Sequence, residues 1–176
     1  MTHVAVTAVG PDRPGIVAAV TGVLLQHGGN LEDTAMTRLG GHFAMVLVVE
    51  VPGDEGADAL ETALARDTSA LGLTVTVRPI ADLDDAGDTG APYAVTVHGA
   101  DQPGIVHRVT SLLADHDANV VDLATRQITT EAGTGYVVLL EVLLPGDAEA
   151  LAASLDALAA ELGVDISFRP DEADVL

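Results

Sequence analysis

The sequence repeats itself, and that repeat limits what the chain can fold into. Shifting residues 4–39 by 89 positions brings sixteen identical residues into line: Ala5, Val6, Thr7, Gly10, Asp12, Pro14, Gly15, Ile16, Val17, Val20, Thr21, Leu24, His27, Asn30, Asp33 and Ala35. Their partners run from Ala94 to Ala124. The copies also end alike, Gly72-Leu73-Thr74-Val75-Thr76-Val77-Arg78-Pro79 against Gly163-Val164-Asp165-Ile166-Ser167-Phe168-Arg169-Pro170. Chance does not explain this. The 176 residues are therefore expected to form two small domains, 1–79 and 93–170, of about 78 residues each. Between them, 80–92 holds Asp82, Asp84, Asp85 and Asp88 with Gly87, Gly90 and no base, the composition of a linker. The tail 171–176 is expected to fray.

Within a copy the order of elements is legible. Residues 3–9 alternate and are β-branched, which predicts a strand. Pro14 suits the first turn of a helix, and Ile16, Val17, Val20 and Leu24 give that helix one apolar face. Gly28-Gly29 stops it. Residues 30–39 and 42–51 predict two strands joined through Gly40-Gly41, a tight-hairpin signal. Asp54 to Leu71 predicts a second helix with Leu60, Ala63 and Leu64 inward, and 73–78 a last strand. The second copy predicts the same order over 93–98, 103–116, 119–130, 134–144, 147–162 and 164–169. Its hairpin is longer by about four residues around Glu131 to Gly135. The order βαββαβ predicts an α+β fold, two ferredoxin-like units with antiparallel sheets and helices on one face. The third strands, Ala44 to Val49 and Tyr136 to Leu140, are apolar on both sides. A sheet apolar on both faces needs cover on both, so the open face is expected to pack on, or extend into, another sheet. That sheet could be the other unit, a second chain, or both.

Composition removes whole classes of function. Seven arginines and no lysine stand against 27 carboxylates, a formal net charge of −20. Phosphate backbones and anionic membranes need a basic surface, so direct binding to nucleic acid or membrane is excluded. Absence of cysteine removes disulfides, thiolate nucleophiles and Cys-type metal sites. No apolar run approaches the ~20 residues of a membrane span. The start, Met1 to Val6, is too short and uncharged for a signal peptide, so the expectation is cytoplasmic. The six histidines show no metal spacing, and no nucleophile motif or phosphate loop is present, so neither a cofactor nor catalysis is expected.

The strongest local motif is the turn from first strand to first helix, Gly10-Pro11-Asp12-Arg13-Pro14-Gly15-Ile16-Val17, copied as Gly99-Ala100-Asp101-Gln102-Pro103-Gly104-Ile105-Val106. Gly10 and Gly99 suit unusual dihedrals or close approach of a ligand. Asp12 and Asp101 suit helix caps, and the amides of Gly15, Ile16, Gly104 and Ile105 suit a carboxylate. Asn30 and Asn119 follow the helix in both copies. With Asp12 or Asp101 they would offer a carboxamide and a carboxylate to a small zwitterion. An ordinary capped helix start and a turn asparagine would explain the same residues.

These residues carry a resemblance. Two βαββαβ units, each with Gly-x-Asp-x-Pro-Gly-Ile-Val and an asparagine after the helix, resemble tandem ACT domains. Thr7 to Val17, then Gly29-Asn30-Leu31-Glu32-Asp33, Arg38-Leu39-Gly40 and Phe43, are similar to the glycine cleavage system transcriptional repressor family. The resemblance implies regulatory domains that bind small amino acids at inter-domain interfaces, beside the first strand–helix turn. It implies one site with Gly10, Asp12, Gly15, Ile16 and Asn30, and another with Gly99, Asp101, Gly104, Ile105 and Asn119. It implies side-by-side sheet pairing, a homodimer, and action through a DNA-binding protein partner. The expected function is a non-enzymatic sensor of a glycine- or serine-class amino acid that controls amino-acid metabolism genes. The alternative is an allosteric regulatory subunit of an amino-acid metabolic enzyme.

Overall fold

A computed structural model describes residues 1–53, 56–80, 89–130 and 133–171. The chain divides into two compact units, Met1–Asp85 and Ala86–Leu176. The first runs β1 (Thr2–Pro11), α1 (Ile16–Gln26), β2 (Asn30–Leu39), β3 (His42–Val51), α2 (Ala57–Asp67), a 3₁₀ turn (Ser69–Leu71) and β4 (Thr74–Pro79). The second repeats this as β5 (Ala91–Ala100), α3 (Ile105–Asp115), β6 (Asn119–Thr130), β7 (Gly133–Leu144), α4 (Ala148–Leu162) and β8 (Asp165–Pro170). The sheets are antiparallel with orders β2-β3-β1-β4 and β6-β7-β5-β8, the ferredoxin-like arrangement expected of βαββαβ. Most of the expected linker, Asp54 and Glu55, the centre of the longer hairpin and the end of the tail lie outside the described residues.

Each core lies between the helices and one sheet face. In β1 the buried residues are Val4, Val6 and Ala8; in β3 they are Phe43, Met45, Leu47, Val49 and Val51. Against them α1 buries Ile16, Val20, Val23 and Leu24. That set corrects the expected helix face, because Val17 turns outward and Val23 inward. Positions i, i+4, i+7 and i+8 share a face more closely than i and i+1 do. The helix also begins later than Pro14 suggests. Gly15 is its N-cap, so Pro14 belongs to the turn before it. Likewise α3 starts at Ile105 rather than at residue 103. The predicted second helix ends in two parts, α2 to Asp67 and then the 3₁₀ turn. Thr68 at that junction is buried, and its hydroxyl donates to the Leu64 carbonyl at 2.8 Å.

Gly40 and Gly41 have φ of 59° and 79°, as a two-residue hairpin with two left-handed positions requires. In the second unit the extra residues extend the ladder. Thr130 pairs with Gly133, so β6 and β7 are each 12 residues long against 10 for β2 and β3. Both second strands carry a bulge at the same place, after Leu31 and after Val120, which the sequence pattern did not disclose. The open sheet faces keep apolar side chains in solvent within each unit. Val46 is 49% exposed and Leu139 is 42% exposed, as the two-sided patterns of β3 and β7 require.

Candidate functional site

The turn after β1 is shaped by two glycines with different tasks. Gly15 sits at φ 91° and Gly104 at φ 95°, and a Cβ on either would meet nothing within 4 Å. Backbone conformation alone selects glycine there. Their carbonyls accept the first intrahelical bonds, from Ala19 and Arg108, each at 2.9 Å. Gly10 and Gly99 have no positive φ. A Cβ on Gly10 would stand 2.7 Å from the Gly72 carbonyl oxygen, and one on Gly99 would stand 2.5 Å from Val164 Cγ1. They let the entry to β4 or β8 pack against the end of the first strand. The close approach seen at these glycines is by the unit's own chain.

Asp12 and Asp101 do not cap the helices, since neither N-cap has a side-chain bond. They turn toward the second strand. Asp12 Oδ2 lies 3.0 Å from Arg38 Nε, and Gln127 Nε2 donates to Asp101 Oδ2 at 2.6 Å. Arg38 and Gln127 are 89 positions apart, so the two pairs are copies of one contact with different chemistry. The Asp12 amide donates to the Gly41 carbonyl at 3.0 Å and ties the turn to the hairpin. Ile16 and Ile105 are each 2% exposed. They anchor the helix starts and can offer a ligand only their backbone. Beside the first turn is a groove of about 420 Å³ lined by Asp12, Arg13, Gly15, Val17, Ala18, Met36 and Arg38, with the buried Ile16 and Phe43 beneath. Sequence reading gave Arg38, Met36 and Gln127 no role. The signal was available: Arg38 stands opposite Phe43 in the register and hence on its face.

The asparagines lie elsewhere. Asn30 pairs with Glu50, whereas Gly10 pairs with Phe43, and Asn119 pairs with Leu143 while Gly99 pairs with Tyr136. Seven residues of β3 separate the two levels, about 23 Å at the usual strand rise. Asp12 and Asn30 of one unit therefore cannot touch the same small molecule, nor can Asp101 and Asn119. This corrects the expectation that each unit assembles them into one constellation. Asn30 and Asn119 are exposed and open the second strands just before the bulges. The turns before them also differ. Gly28 has φ 70°, and Asp117 takes the same left-handed position at φ 56°. The following amides, of Gly29 and Ala118, bond to Leu24 and Leu113 carbonyls at 2.8 and 2.9 Å. His27 and His116 are the C-caps. His116 Nε2 is 3.1 Å from Ser154 Oγ.

The ACT domain model matches residues 2–78 and again 93–169. The chain belongs to the ACT domain family. It is a tandem ACT protein that resembles the glycine cleavage system transcriptional repressor. The repressor of Escherichia coli is 29% identical over 160 residues, covering 88% of this chain and 80% of that one. A UPF0237 protein of Methanopyrus kandleri is 40% identical over 79 residues, 44% of this chain and 88% of its own length. Among solved structures, a protein of Galdieria sulphuraria superposes with a TM-score of 0.81 at 30% identity, covering 97% of this chain and 98% of that one. A solved chain described as a glycine cleavage system transcriptional repressor gives a TM-score of 0.74 at 22% identity, with the same coverage, and supports the fold. No helix among the described residues is long and apolar enough to cross a membrane.

Proposed function

We propose that the chain is a non-enzymatic regulatory protein that senses a small amino acid of the glycine or serine class. It controls amino-acid metabolism genes through a protein partner. The observation that carries this reading is the first turn. A carboxylate, two arginines and the first turn of a helix line one groove, which suits a zwitterion. ACT-family membership supports an amino-acid-sensing role, and the likeness to the E. coli repressor across 88% of the chain supports a transcriptional one. With a net charge of −20, contact with DNA falls to the partner.

Site residues are proposed as Gly15, Asp12 and the Ile16 amide in the first domain, and Gly104, Asp101 and the Ile105 amide in the second. Asn30 and Asn119 join a site only by reaching the turn of a different ACT domain. Binding would then favour one assembly over another, which is how a ligand with differential affinity shifts a population. The assembly proposed is a homodimer, and the proposed compartment is the cytoplasm. Residues 1–79 and 93–170 are proposed as the two folding units, joined by 80–92.

Titration calorimetry with glycine, serine and the remaining amino acids tests this reading. The account predicts saturable heat with at least one of them. Absence of heat and of any thermal shift with all of them removes the sensor. Affinity capture then separates the transcriptional reading from the enzyme-subunit alternative, by retaining a DNA-binding protein or a metabolic enzyme.

A further inference from the structure

We infer that the two turns are electrically unlike, and that Arg13 and Arg38 make the first groove alone an anchor for a ligand carboxylate. The inference rests on the amino-acid-binding reading and assigns residues and a ligand group to it. Both arginines line the first groove. Arg38 is paired with Asp12 at 3.0 Å. Among the described residues, Arg13 donates from Nη1 to the Ala70 carbonyl at 3.5 Å and forms no ion pair. The groove thus holds two cations and one carboxylate. In the second unit the corresponding residues are Gln102, Gln127 and Asp101, one carboxylate and no arginine.

The difference matters because anions meet a repulsive protein. A net charge of −20 disfavours a carboxylate everywhere except where cations gather. Elsewhere, Arg66 is bound to Asp67 and Arg108 to Glu161. Arg169 lines a groove with Asp122, Glu141 and Asp171. The first turn therefore brings two arginines to one carboxylate, whereas at each of those three places a single arginine meets at least one. An arriving zwitterion exchanges partners there: its ammonium group donates to Asp12, and its carboxylate accepts from Arg38 and Arg13. The exposed sides of Val17 and Met36, 44% and 54% exposed, leave room for a side chain. At the second turn the Gln127 amide donates one bond to Asp101 without offering a charge, and neither Gln102 nor Gln127 supplies a guanidinium to offset Asp101 against a ligand carboxylate.

The test is a proton–nitrogen NMR titration of the full chain, reading the Gly15 and Gly104 amides separately. Glycine and acetate serve as probes at about pH 8. The expected result is half-saturation of Gly15 at a glycine concentration at least tenfold below that of Gly104. In the R13Q/R38Q double variant the Gly15 response weakens at least tenfold while the spectrum stays dispersed. In Q102R/Q127R the Gly104 response strengthens. Equal response of both amides to glycine, or an unchanged Gly15 response in R13Q/R38Q, overturns the inference and leaves amino-acid sensing standing. Arginine-dependent acetate binding at Gly15, with glycine binding no tighter, supports the carboxylate anchor and removes the sensing. If neither probe moves either amide, both fall.

Discussion

Replacing Gly10 by alanine should destabilise the first unit by about 2 kcal/mol, within the range of roughly 1–3 kcal/mol for overpacking a tight site. The residue needs no left-handed backbone, so the cost is steric. The new Cβ would lie 2.7 Å from the Gly72 carbonyl oxygen, 2.8 Å from Leu73 Cδ2 and 3.2 Å from Leu73 Cα. Leu73 Cδ2 can swing aside, but the Gly72 carbonyl and Leu73 Cα move only if the chain entering β4 retreats. That strand pairs with β1 from Val9–Thr74 to Val4–Pro79 and holds Val75 and Val77 in the core. Two controls isolate the cause. Gly15→Ala meets no atoms but must hold φ 91°, a conformational cost of about 1–2 kcal/mol. Gly22→Ala lies within α1 with open space around it and should stabilise by roughly 0.5–1 kcal/mol. Because two units need not unfold together, native-state hydrogen exchange of core amides such as Val6 is the assay, rather than one global transition. If Gly10→Ala leaves Val6 protection unchanged and only weakens amino-acid binding, glycine is there for the ligand, and the packing argument is wrong.

Asn30→Ala and Asn119→Ala remove exposed side chains and should leave thermal stability within about 0.5 kcal/mol. Calorimetry on those variants should show weakened amino-acid binding. Asp117→Gly relieves a left-handed aspartate and should stabilise the second unit by about 1 kcal/mol, read by hydrogen exchange at Val109. Raising salt should raise the melting temperature, because a net charge of −20 repels itself more than its few exposed ion pairs attract; a fall would contradict this. Arg108 bonds Glu161 at 2.7 Å and holds that carboxyl below its usual range. Any stability from this bridge is present above the ordinary glutamate pKa and is lost as pH falls through the lowered one. In Arg108→Gln that part of the acid limb should disappear from pH melts.

The repeat made the element order legible, because each copy carries the same punctuation: glycines at the hairpin, glycine or aspartate after the first helix, and apolar periodicity between. Features fixed by tertiary contact were less so. Gly10 reads as a conformational glycine until Gly72 and Leu73 are seen against it. Asp12 stands where a helix cap belongs, but the left-handed Gly15 takes the cap position and Arg38 takes the carboxylate. The bulges after Leu31 and Val120 leave no residue signature. Asn30 and Asp12 are close in motif logic but lie at opposite ends of β3, a separation that only strand register supplies.

The most direct measurement of the central claim is a crystal structure of the chain with a bound amino acid. The account predicts a ligand carboxylate at the Gly15 amide and Arg38, its ammonium group at Asp12, and any asparagine contact supplied by a different ACT domain. A ligand bound away from both turns, or one touching Asp12 and Asn30 of the same domain, would contradict it.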